Sequence, residues 1–159
     1  MQTKSLSILE WHELVQKGAE IPMRMPINGV SMYPLIRRNR DMVTIVPLCR
    51  MPVPGEIVMF AQPEKERYVL HRAWQVRDGY VLTWGDNCNA PDGWMPQDKI
   101  WGLATRIERG SFVITPKPKR GLRWARLWHP IGRLLRRIRG LIHGIYRRIK
   151  HLFAQFARK

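Results

Sequence analysis

The chain of 159 residues is long enough for one domain with a real core, or for one domain plus an appendage, and its 45% hydrophobic and 25% charged content excludes a disordered chain. The net charge of +16 is unevenly placed: residues 1–116 hold 14 Lys/Arg and all 12 Asp/Glu, whereas residues 117–159 hold 14 Lys/Arg and no acid. A near-neutral body therefore carries a basic tail, of the kind that meets phosphates of lipid or nucleic acid.

The first expected element is a short helix over 5–17, with Leu6, Leu9 and Leu14 near one face and Gly18 as its stop. Residues 21–26 alternate as a half-buried strand, and Asn28-Gly29 signals a turn. Strand-like runs follow at 42–47, 57–60 and 68–76, and Asp78-Gly79 turns the last of these into 80–84. Residues 85–97 are polar and rich in Gly and Pro, which predicts a loop, and two more strands are expected at 100–107 and 111–115. Many short strands without interleaved helices mean a mainly β body. An extended linker is expected at 116–121, separating a body (1–115) from a helical tail (122–159). In the tail, Leu127, Ile131, Leu134, Ile138, Leu141, Ile145, Ile149, Leu152 and Phe156 step by three or four residues between arginines, and Pro130 is expected in the first turn.

Ser31 is the candidate nucleophile, because a serine at a sharp turn exposes its hydroxyl beside free backbone N–H groups. Serine needs a base to take its proton. Of the five histidines only His71 lies inside an expected core strand, on the face it shares with Val69, Ala73 and Gln75. Asp86 and Asp92, in the following loop, are the two carboxylates available to orient it; Asp86 also fits an Asx turn. Cys49 and Cys88 are too few for a disulfide framework and have no metal-ligand spacing, so both read as ordinary thiols, and no cofactor is expected.

Taken in order, Gly29-Val30-Ser31-Met32-Tyr33-Pro34, Arg40-Asp41, Gly55-Glu56, Leu70-His71-Arg72, Gly85-Asp86-Asn87 with Pro91-Asp92, and Trp101-Gly102 resemble the serine signal peptidases (peptidase family S26) over about residues 22–110. The resemblance is to the branch with a histidine base found in endoplasmic-reticulum and archaeal enzymes. It implies a coiled β-sheet fold shared with self-cleaving repressors. It implies Ser31 as nucleophile with its own N–H in the oxyanion hole, His71 as base, and an acid of the Gly-Asp-Asn loop as the orienting group, for which Asp92 is favoured here over Asp86. It also implies a peptide or precursor-protein substrate lying along Gly29, Val30, Met32 and Pro34; Met23 and Met25 are further candidates for the groove or the core.

The sequence departs from that family in lacking a spanning helix before Ser31, and in Cys88 following Gly-Asp-Asn. With no apolar leader and no window near 18 uninterrupted apolar residues, neither a secretory signal nor a spanning helix is expected, and the expected location is cytoplasmic, peripheral to a membrane. The apolar stripe of 122–159 favours an anionic membrane surface over a purely solvated arm on nucleic acid. Two rivals remain: an inactive relative that serves as a binding scaffold, and a helix that packs on the body or a partner.

Overall fold

The computed structural model describes residues 6–62 and 67–156, with backbone alone for 151–156. Helix α1 (Ile8–Gln16) opens on a capping box: Ser7 Oγ accepts from the Glu10 N–H, and the Ser7 N–H donates to the Glu10 carboxylate. Ser5, the expected start, lies outside the described residues. The face turned inward is a correction: Leu6, Leu9 and Leu14 are exposed, and Trp11 is fully buried with Ile8 and Val15 packed near it. Trp11 outweighs the leucines because its large ring fills the core while its Nε1–H donates to the Ile21 carbonyl at 2.8 Å.

Eight strands follow: β1 (Met23–Pro26), β2 (Asp41–Pro47), β3 (Ile57–Gln62), β4 (Arg67–Arg77), β5 (Tyr80–Trp84), β6 (Gly93–Pro96), β7 (Ile100–Arg109) and β8 (Phe112–Ile114). They form one antiparallel sheet in the order β1-β2-β7-β3-β4-β5-β6, with β8 beside β7. Strand β6 lies inside the segment expected to be a loop; it pairs with β5 through Gly93 opposite Thr83 and Pro96 opposite Tyr80. The sheet carries core on both faces. In β3, Ile57 and Met59 enter one cluster with Trp11, Val43, Ile45 and Ile107, while Val58 and Phe60 enter the other with Val69, Ala73 and Val81. Four consecutive buried residues therefore make a central strand rather than a half-wet one.

Helix α2 (Pro118–Phe156) begins earlier than expected, so the extended stretch is shorter than 116–121. Pro118 stands at the first helical position, where a missing N–H costs nothing. Pro130 is not in the first turn but inside the helix. The buried positions of α2 are Leu122, Ala125, His129 and Gly132, at helical spacing, and Arg136 is half-buried on the same side. At about 100° per residue this docking face is roughly opposite the stripe of Leu127, Ile131, Leu134, Ile138, Leu141 and Ile145, all of which are exposed. The side chains of His151, Leu152 and Phe156 lie outside the described residues. No helix among the described residues is long and apolar enough to cross a membrane.

Candidate active site

Ser31 opens the turn that follows β1, five residues beyond the strand end, with Tyr33 N–H donating to Val30 O and Ile36 N–H to Met32 O. Met32 and Ile36 are buried in the core and pin the turn from below. Its far end is tied to the sheet by Asp41. That buried carboxylate accepts from the Arg37 N–H and pairs with Arg109, which also donates to Leu35 O. Burial pushes the Asp41 carboxyl upward, but the Arg109 and Arg37 contacts outweigh this and hold it below the usual carboxylate range.

His71 is nearly fully buried in the middle of β4, paired with Val58 of β3. Its Nδ1 meets Asp92 Oδ2 at 2.6 Å. Asp92 reaches that position because its N–H donates to Thr83 O at 2.9 Å and Oδ2 accepts from Thr83 Oγ1 at 2.8 Å, where β6 begins. Burial pulls the His71 ring downward. The hydrogen bond to Asp92 and the contact with Cys88 together outweigh burial and raise its pKa to about 9.

Asp86 is not available to His71. Its carboxylate takes both Nε and Nη2 of Arg72 at 2.8 and 2.6 Å, with neither side chain reaching solvent. Arg72 Nη1 donates to Gly55 O. The two aspartates are thus divided between neighbouring residues of β4. His71 and Arg72 point to opposite faces of the strand, and each draws the carboxylate on its own side.

Ser31, His71 and Asp92 line one cavity of about 650 Å³, together with Gly29, Val30, Met32, Met25, Asn87 and Cys88. Pro34 and Met23 do not line it. Pro34 follows a cis peptide from Tyr33, and Met23 is core. Asn87 stitches the histidine loop to the serine turn: its N–H donates to Ser31 O at 2.7 Å and its Nδ2 to Val30 O at 3.1 Å. Arg136 of α2 in turn donates to Asn87 and Asn89. Neither the side-chain oxygen nor the backbone N–H of Ser31 makes a hydrogen bond among the described residues, and the Nε2 edge of His71 faces Cys88 Sγ at 3.8 Å.

Thr83, Asn87 and Arg136 escape sequence reasoning as site residues. Thr83 carried a usable signal: Val81 and Thr83 alternate inward on β5, so a hydroxyl occupies a core position just before the loop. Neither a protein-family model nor a curated protein sequence matches the chain significantly.

Proposed function

We propose that this chain is a serine endopeptidase of the signal-peptidase type, built on that family's coiled β-sheet fold. The observation that carries the reading is the pair that buried His71 makes with Asp92, opening into the cavity that Ser31 also lines. Ser31 Oγ attacks a peptide carbonyl while Nε2 of neutral His71 takes its proton. Asp92 and Thr83 hold the ring and stabilise the imidazolium. The Ser31 N–H, unbonded within the described residues, is the donor for the oxyanion. The ring then protonates the leaving amine, and water attacks the acyl-enzyme with His71 again as base.

The missing hydrogen bond between Ser31 and His71 fits a site without substrate, since such bonds are often long or absent until a ligand arrives. An extended peptide in the cavity would run along Gly29, Val30 and Met32 and past Met25. The exposed basic and apolar side of α2 suits an anionic membrane surface, which would bring a surface-bound precursor to the cavity.

Labelling by a fluorophosphonate or a peptide-based serine acylator tests the reading. The wild-type chain takes up label at Ser31, and Ser31→Ala and His71→Ala do not, with circular dichroism unchanged. Failure of the wild type to react with both probes would leave the cavity as a binding site without turnover.

A further inference from the structure

The serine reading leaves Cys88 without a role, yet its sulfur is the atom that faces the second nitrogen of His71. Sγ stands 3.8 Å from Nε2, while Nδ1 is held by Asp92 at 2.6 Å. A sulfur, an imidazole and a carboxylate in series can pass a thiol proton to the ring and keep it there. The contact is enforced by the loop. Cys88 N–H donates to Gly85 O at 2.9 Å, which folds the sulfur back toward β4. A Cβ on Gly85 would stand 2.7 Å from both Cys88 Sγ and His71 Nε2, so only glycine leaves room for the two to meet. Cys88 lines the same cavity as Ser31, whereas Cys49 is exposed elsewhere on the surface.

We propose that Cys88 is a second nucleophile of this site, activated by His71 and Asp92, and that it captures soft carbon and sulfur electrophiles and thereby closes the cavity to peptide. With an alkyl iodide, the sulfur–carbon bond forms as the carbon–iodine bond breaks. Iodide leaves with the electron pair, and the thiol proton stays on Nε2. With a small disulfide, the sulfur attacks one half and the other half leaves as a thiolate, taking that proton from the ring. The raised His71 value agrees with this: burial alone would lower it, and the Asp92 and Cys88 contacts reverse the sign. Because Cys88 Sγ faces the Nε2 edge of His71 in the cavity that Ser31 lines, a group fixed to the sulfur also blocks that edge from Ser31. Only this last consequence rests on the serine reading.

The test is iodoacetamide alkylation of the full chain at pH 7, followed residue by residue by peptide mass spectrometry with Cys49 as the internal control. Cys88 reacts at least about tenfold faster than Cys49 although it is the less exposed thiol. His71→Gln and Asp92→Asn remove that advantage, and Ser31→Ala keeps it. A Cys88 rate no greater than that of Cys49 overturns the proposal. So does an advantage that survives either ring variant with its circular dichroism unchanged. Alkylated wild type loses serine labelling while Cys88→Ala, treated in the same way, retains it; equal labelling before and after alkylation overturns the closing of the cavity. Fast alkylation with no serine labelling in untreated protein would sink the peptidase reading and leave the thiol standing.

Discussion

At the scale of single residues, the fate of the two aspartates decides the site. The Arg72–Asp86 pair lies wholly out of water, where two charges cost much to desolvate and each is tolerable only because of the other. Asp86→Asn leaves the Arg72 guanidinium buried beside a neutral amide. We expect a loss of about 3–5 kcal/mol in urea unfolding, with the His71–Asp92 hydrogen bond untouched. Asp92→Asn has the opposite signature. Stability changes little by comparison, but the ring loses its orienting charge and serine acylation falls by up to roughly 10⁴-fold. A stability loss in Asp92→Asn larger than in Asp86→Asn would reverse these assignments.

The His71 value also sets a pH profile. A ring with a pKa of about 9 is protonated at neutral pH and cannot accept the Ser31 proton. Acylation is therefore expected to rise with pH and level off above about 9. Cys88→Ala moves that rise to lower pH, because one of the contacts holding the pKa up is gone. The linkage to stability runs the other way. A folded value above the unfolded one gives stabilisation that is complete below the unfolded value and is lost as pH climbs through about 9. A rate profile centred near an ordinary histidine, with no response to Cys88→Ala, would count against the Cys88 contact in solution.

At the scale of elements, α2 is held to the body by contacts that its sequence pattern conceals. His129 is buried against Trp74 and Trp84, at 4.9 and 4.2 Å between ring centres. Neither of its ring nitrogens has a partner among the described residues. Burial lowers its pKa; Asp86 pulls it up, while Arg133, Arg136 and Arg72 push it further down. The neutral ring is the docked form, so its contribution to docking is present at neutral pH and is lost as pH falls below the ordinary histidine value of about 6.5. Tryptophan fluorescence should report release of α2 on acidification, and His129→Phe should abolish that response. Gly55 gives a second handle on docking. Its φ is +100°, and a Cβ there would stand 2.1 Å from the Pro118 carbonyl oxygen, so Gly55→Ala is expected to loosen the start of α2 at a cost above about 1 kcal/mol.

These contacts explain what was legible. Strands β2 to β5 and β7 follow from alternation and turn residues, because a half-buried or central strand prints its environment on the chain. Strand β6 does not: Gly93 and Pro96 read as loop, and only pairing with β5 makes Gly-Trp-Met-Pro a strand. The choice between Asp86 and Asp92 was open because both lie within one loop; which of them meets His71 depends on β6 turning back at Gly93. The docking side of α2 was hidden for a simpler reason. Its positions 129, 132 and 136 are His, Gly and Arg, and the evident apolar stripe of the same helix faces away from the body.

For the whole molecule, that outward stripe is the apolar feature that the body leaves uncovered. Leu127, Leu134, Leu141, Ile142 and Tyr146 are each more than half exposed, and exposed apolar side chains grouped on one helix side mark interaction surfaces. It is flanked by arginines and no acid, since all 12 carboxylates of the chain lie before residue 117. An anionic bilayer would satisfy both halves of this pattern: the aliphatic side chains would enter the head-group boundary, and each nearby cation would add roughly 1 kcal/mol. Such a surface would leave the docking face on the body, with Arg136 on Asn87 and Asn87 on Ser31 O, because the stripe lies on the opposite side of the same helix. A membrane-bound chain would thus keep its cavity at a fixed height above the surface. The full chain should co-sediment with vesicles containing phosphatidylserine but weakly with phosphatidylcholine alone, and added salt should weaken the binding without abolishing it. Ile138, Leu141 and Ile145 changed together to Ser should release it, because charge alone then remains. Binding that vanishes completely at moderate salt in the unaltered chain would instead mark α2 as a polyanion-binding arm with an idle apolar stripe.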